Sequence, residues 1–225
     1  MKKQIGILIV LLAALVVRAD VTNLTVTASP NTLIPDGNPV GLTSTVTVGG
    51  MVGPLTNLTV NLDITGGFNG NLYAYLISPS GSVVVLLNRV GESSTNVFGY
   101  GNAGFNITLN ATAANNIHFY QSGSYSLSGG QLTGAWQPDQ RTISPGSVQT
   151  AFDAAGTGNN LSSYYTSDTN PNGVWTLFVA DLANGAQSTL VSWGLTVVTV
   201  PEPQTWTLLG GGLVGFLFLA RKRRS

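Results

Sequence analysis

Between the two ends of this chain the apolar residues recur with a period of two. Leu58, Val60, Leu62 and Ile64 alternate with Thr59, Asn61 and Asp63. Successive side chains of an extended backbone point to opposite faces, so this run predicts a strand with one face buried. Leu72–Ile77 and the apolar run Val83–Leu87 are two more. Between them stands Ser78-Pro79-Ser80-Gly81, residues that supply the angles of a tight turn. Thr43–Val48, Phe105–Leu109, Val174–Ala180 and Thr189–Val198 complete the clearest set. No stretch of ten residues outside the two ends carries a helical stripe. Short strands separated by Gly, Asn and Pro turns predict an all-β sandwich or barrel. A body of this length buries roughly 70 % of its chain surface, so it stands without metal or disulfide.

Charge sets what this body can meet. Only 8 % of the 225 residues are charged, against roughly 25 % in an average soluble domain. Of nine Lys and Arg, only Arg89 and Arg141 fall between residues 20 and 200, against seven Asp and Glu92, a net −6. Nucleic-acid binding rests on clustered cations, so this composition excludes it. There is no Cys, which rules out disulfides and thiolate metal sites. A single His118 rules out a poly-His metal centre.

The remaining cations sit at the ends. Lys2 and Lys3 precede the apolar run Ile5–Val17, and Val17-Arg18-Ala19 places a small residue before a polar chain. This is the pattern of a secretory signal peptide over residues 1–19, with cleavage between Ala19 and Asp20. The run is too short to span a bilayer as an anchor. At the other end Pro201-Glu202-Pro203 is followed by an apolar segment, 204–220, and then by Arg221-Lys222-Arg223-Arg224-Ser225. As a single transmembrane helix that segment reaches about 26 Å, slightly short of the roughly 30 Å hydrocarbon core. Trp206 suits one interface and Arg221 can snorkel at the other. The basic ends stay cytoplasmic by the positive-inside rule, which puts everything between them across the inner membrane in the precursor.

This tripartite tail, residues 200–225, resembles the PEP-CTERM sorting signal of Gram-negative bacteria. The matching residues are Pro201, Glu202, Pro203, Arg221, Lys222, Arg223 and Arg224. The resemblance implies recognition by an exosortase-type membrane transpeptidase, removal of the tail, and delivery to the cell surface or an extracellular polysaccharide matrix.

The body carries a second resemblance. Ile34-Pro35-Asp36-Gly37-Asn38-Pro39 precedes a strand, Asp63-Ile64-Thr65 and Gly70-Asn71-Leu72 follow, then Ser78-Pro79-Ser80-Gly81, Asn172-Gly173-Val174-Trp175 and Ser192-Trp193-Gly194-Leu195. This order resembles the P domain (P/Homo B domain) of proprotein convertases, from about residue 33 to 199, behind a lead-in strand in 20–32. The resemblance implies a jelly-roll-like β-sandwich of the galactose-binding-like kind. Two departures stand out: the family usually has Gly-Asp-Leu at Gly70-Asn71-Leu72, and often His-Thr where this chain has Gly66 and Gly67. Ala111–Pro138 matches poorly and reads as a long inserted or divergent loop.

In convertases the P domain accompanies a Ser-His-Asp protease whose catalytic residues lie elsewhere. A triad needs a His as its general base, His118 is the one candidate, and no Gly-x-Ser-x-Gly motif is present, so no catalytic residues are assigned. Asp36, Asp63, Asp153, Asp168 and Asp181 fall at strand ends or in Gly/Asn-rich loops and are the candidates for a calcium site, although no spacing matches an EF-hand. The alternative reading is that they cap turns. Trp175 and Trp193 read as core residues. Trp136, Tyr100, Tyr120, Tyr125, Tyr164 and Tyr165 read as exposed loop aromatics able to stack on sugars. The expected function is that of an exported, non-catalytic surface or matrix protein with a structural or adhesive role. A carbohydrate- or calcium-dependent binding module, and a stabilising partner of a separate serine protease, are the alternatives.

Overall fold

The computed structural model describes residues 22–167 and 170–200. Eleven strands form in them: β1 Thr22–Ala28, β2 Thr32–Leu33, β3 Leu42–Val48, β4 Leu55–Gly66, β5 Leu72–Ile77, β6 Val83–Asn88, β7 Gly104–Asn110, β8 Leu127–Ser128, β9 Gln131–Trp136, β10 Gly173–Asp181 and β11 Ser188–Thr199. Two short helices, α1 Gln149–Ala154 and α2 Tyr164–Ser167, lie between β9 and β10.

The strands make two sheets. One has seven strands in the order β1-β11-β4-β7-β9-β8, with β2 also on β11; the other has four, in the order β3-β10-β5-β6. All pairs are antiparallel except β7 with β9. The alternation of β4 sets its register. Leu58, Val60, Leu62 and Ile64 are buried, and they pair with Val197, Leu195, Trp193 and Leu190 on one side. On the other side Val60, Leu62 and Ile64 pair with Leu109, Ile107 and Phe105. Thr59, Asn61 and Asp63 face outward, because a one-residue slip would expose every one of the apolar set.

The inner face of this sheet packs on Trp175, Leu177 and Val179 of β10, Leu72, Ala74 and Leu76 of β5, and Val46 and Val48 of β3. Fully burying each large apolar side chain contributes about 1.5–3 kcal/mol. Trp175 and Trp193 are core residues, as their strand positions predict. Neither indole leaves its N–H unpaired: Trp175 donates to Pro171 O at 2.9 Å and Trp193 to Ser44 Oγ at 2.8 Å. The second bond runs from one sheet to the other. Trp175 also meets Tyr164 edge-on, with ring centroids 5.2 Å apart.

The segment 111–138, expected as a loop, is largely structured. It holds the 3-10 turn Ile117–Ser122, β8 and β9, and buries Ile117, His118, Tyr120, Leu132 and Trp136. β9 joins the sheet by pairing parallel to β7, Phe105 opposite Leu132 and Leu109 opposite Trp136. Three of the aromatics expected in exposed loops are therefore interior: Tyr120 and Tyr164 are fully buried and Trp136 nearly so.

β1 and β11 run antiparallel along their whole shared length, with Thr22 opposite Thr199. No helix among the described residues is long and apolar enough to cross a membrane. The expected signal peptide over 1–19, its Ala19–Asp20 junction, the span over 204–220 and the sorting residues Pro201 to Pro203 and Arg221 to Arg224 lie outside the described residues.

Candidate functional site

His118 has an acid partner that spacing did not reveal. Asn116 precedes the 3-10 turn and accepts the His118 backbone N–H on its side chain at 2.9 Å, a local cap that aims the imidazole inward. Nδ1 then lies 2.7 Å from Asp139 Oδ2, and Nε2 lies 3.2 Å from the Glu92 carbonyl oxygen. Asp139 also accepts from Arg141 at 3.0 Å and from the Asn88 N–H at 3.2 Å. Glu92 is paired with Arg89 at 2.8 Å and receives Gln149 of α1 at 3.2 Å. Burial raises the Glu92 carboxyl above the usual range, while Arg89, Gln149 and His118 draw it back down.

A carboxylate orienting an imidazole is two-thirds of a hydrolytic triad. The third requirement is a hydroxyl on the far ring nitrogen. Here that nitrogen faces a main-chain carbonyl, and the ring is 2 % exposed. Both ring nitrogens face oxygen atoms, Asp139 Oδ2 and the Glu92 carbonyl. The cluster has no nucleophile to activate. Its geometry ties the 3-10 turn, the Asp139–Arg141 segment, the end of β6 and α1 into one knot. Arg141 lies 4.7 Å over the Phe119 ring, and Phe152 of α1 stacks on His118.

The structure scatters most of the acidic residues. Asp63 faces outward from β4 and accepts Gln131 at 2.8 Å. Asp153, on α1, accepts the Ser94 N–H at 3.2 Å, the capping role. Asp168 lies outside the described residues. Asp36 and Asp181 are the two that come together. The Asn38 N–H donates to Asp181 O at 2.9 Å, and the Gly185 N–H to Asp36 Oδ2 at 3.1 Å, so their loops interlock. Among the described residues no three of His, Asp and Glu are grouped as a metal site would need.

The loop aromatics converge as well. Phe119, Tyr120 and Trp136 line a cavity of about 240 Å³ with Asn115, Ser122 and Ser124. Phe119 is 52 % exposed. Tyr120 and Trp136 have their polar ends occupied: the phenol donates to Asn102 at 2.8 Å and accepts Asn69 at 3.2 Å, and the indole donates to Thr133 O at 3.0 Å. Burial pushes the Tyr120 phenol up to about 12, with the Asn69 and Gln121 hydrogen bonds acting against it. The rim is uncharged. Such a cavity can hold a neutral polar ring against an aromatic surface.

Comparison with known proteins agrees with both resemblances. Residues 55–137 match the family model of the proprotein convertase P-domain, a non-catalytic accessory module. The match runs through most of the segment that reads as divergent in sequence. Residues 199–224 match the PEP-CTERM protein-sorting motif, which implies export to the cell envelope or surface and processing by an exosortase-type system. The chain is also similar to the serine protease (ASP) of Aeromonas sobria in its complex with the chaperone (ORF2). That likeness has 16 % identity and a TM-score of 0.41, and covers 81 % of this chain and 28 % of that one. The serine protease of Aeromonas sobria alone gives 14 %, 0.40, 80 % and 27 %. This chain thus spans under a third of the length of either protease. No curated protein matches it.

Proposed function

We propose that this chain is an exported, non-catalytic β-sandwich, delivered by an exosortase-type system to the cell surface or an extracellular polysaccharide matrix, where it is structural or adhesive. The sorting motif at 199–224, which begins at the last residue of β11, carries this reading. Residues 1–19 act as the signal peptide, and 204–220 hold the precursor in the inner membrane until the tail is cut. The body suits the task. Both of its Arg residues are engaged internally with Glu92 and Asp139, so it offers polyanions no free cation among the described residues. Intact-mass measurement of protein extracted from the cell surface tests the proposal. The expected mass lacks residues 1–19 and the Arg-rich end. Recovery of the intact C-terminus in the inner membrane, in cells with an active sorting enzyme, overturns it.

The aromatic cavity favours one form of the adhesive role, binding of a neutral polysaccharide. Its test is retention on neutral glycans by the native chain and by Phe119→Ala. Equal retention of the two removes the cavity from the account.

A further inference from the structure

The two sheets end in β1, β8, β3 and β6, and the chain treats these edges differently. A strand edge carries a row of unpaired N–H and C=O groups, so an edge left bare is a template for another strand. β6 is covered: the Asp139 and Gln140 N–H groups donate to Leu86 O at 3.0 Å and Val85 O at 3.1 Å. β8 is two residues long, a length that by itself blunts an edge. β1 and β3 have seven residues each and lie against each other on one side of the sandwich. Neither holds a charged residue or a proline, the usual guards of an edge. Among the described residues no main-chain hydrogen bond reaches β1 except from β11, or β3 except from β10.

β1 is the edge whose burial is unfinished. Its inner row, Leu24, Val26 and Ala28, packs on the core yet stays half-buried along its length, whereas Val46 and Val48 of β3 are already buried. Its outer row, Asn23, Thr25 and Thr27, is exposed. The strand also complements itself. Laid antiparallel to a second copy about Thr25, it sets Thr25 opposite Thr25, Asn23 opposite Thr27, Leu24 opposite Val26 and Thr22 opposite Ala28. Every residue of the strand then pairs, outer row against outer row and inner row against inner row. A slip of one residue sets the exposed row against the apolar one, and a slip of two leaves the ends unpaired. A two-fold interface demands this kind of self-complementarity.

We infer that β1 is a self-association edge: two copies of this chain pair their β1 strands antiparallel about Thr25, which joins their larger sheets into one continuous sheet and covers Leu24 and Val26 at the seam. One strand is small against the roughly 800 Å² per partner of a standard interface, so the association is weak and concentration-dependent. The pairing and the sorting of the chain are independent, and either test can fail without the other.

The chain has no Cys, so a single introduced thiol reports its own neighbours. Residues opposite each other in an antiparallel pair have Cα atoms roughly 4.5–5.5 Å apart, within the reach of a disulfide. The test compares Thr25→Cys with Asn61→Cys, an exposed position on β4 inside the same sheet. Each full chain is held in detergent and oxidised with diamide, which takes up the two electrons and two protons of the thiol pair. Thr25→Cys is expected to form the cross-linked dimer at least about tenfold faster, because its thiols are held together rather than meeting by collision. In the Thr25→Cys chain, adding Asn23→Lys and Thr27→Lys sets like charges opposite each other across the seam and is expected to slow the link by about tenfold or more. Asn23→Lys with Thr27→Glu sets opposite charges there and restores it. The first comparison stands by itself if a charged variant does not fold. Equal rates at Thr25 and Asn61 overturn the inference, and so does a Thr25 link that ignores both charge pairs.

Discussion

Trp193 Nε1 donates to Ser44 Oγ at 2.8 Å, so a side-chain hydrogen bond links β11 of one sheet to β3 of the other. Most of what joins the two layers is non-directional apolar packing, which tolerates sliding. A directional bond at one of the two core tryptophans helps fix how the layers align, and the Ser188 hydroxyl of β11 on Asp181 of β10, at 2.9 Å, is a second such link. Ser44→Ala leaves the buried indole N–H unsatisfied, at a cost of about 1–3 kcal/mol. For a chain of this size that is a fall in Tm of roughly 2–12 °C. Thermal unfolding followed by circular dichroism reads it, and an unchanged Tm would show that the bond does not hold the layers.

His118 and Asp139 form the second relationship with a measurable cost. Removing one member of a buried hydrogen-bonded pair leaves the other short of a partner, at a cost of about 1–3 kcal/mol, although Asp139 keeps Arg141 and the Asn88 N–H when His118 is removed. His118→Ala and Asp139→Asn should each destabilise the fold strongly. The double variant should lose less than the sum of the two. Denaturant unfolding of the four proteins measures the coupling. Additive losses would mean that the 2.7 Å contact contributes nothing.

Tyr120 predicts an alkaline transition. Its phenol is pushed up to about 12 from an ordinary value of 10.0. Between those values the unfolded chain has released the proton and the native chain still holds it. Stability from this group is therefore complete below pH 10 and falls as pH rises toward 12. Burial raises Tyr73 and Tyr165 as well, so absorbance at the phenolate band should show a late-ionising component that shrinks by one tyrosine in Tyr120→Phe. Its ionisation together with the exposed phenols would contradict the burial.

Gly104 opens β7 at φ +103°, and a Cβ there would overlap the backbone oxygen of Ile64 in β4. Strained backbone costs about 1–3 kcal/mol, and overpacking adds a similar amount. Gly104→Ala should lower Tm by at least several degrees while leaving Gly101→Ala, where a Cβ meets open space, near the native value. Equal behaviour of the two variants would refute the close approach.

The two-residue period made β4, β5, β7, β10 and β11 readable, because each buries one face on a continuous core. β9 was hidden for a physical reason. Gln131-Leu-Thr-Gly-Ala-Trp136 offers only Leu132 and Trp136 to the interior, and a glycine breaks the pattern between them. Its place beside β7 is a parallel, non-local pairing that no turn announces. The His118–Asp139 contact spans 21 residues and the Asp36–Asp181 approach spans 145, and only the closed sheets bring these together. Asn116 before His118 was a visible local signal, since an Asx cap fixes where the next side chains point. The family likeness carried what the period did not: the module and the address on its tail.

Thr22 and Thr199 face each other across β1 and β11, so both ends of the described body lie at one corner of its larger sheet. A pull arriving through Thr199 runs along β11, which is clamped between β1 and β4 over nearly its full length. Its hydrogen bonds are then loaded together in shear rather than peeled one at a time. Under such a pull β11 is the strand whose extraction would demand the most force.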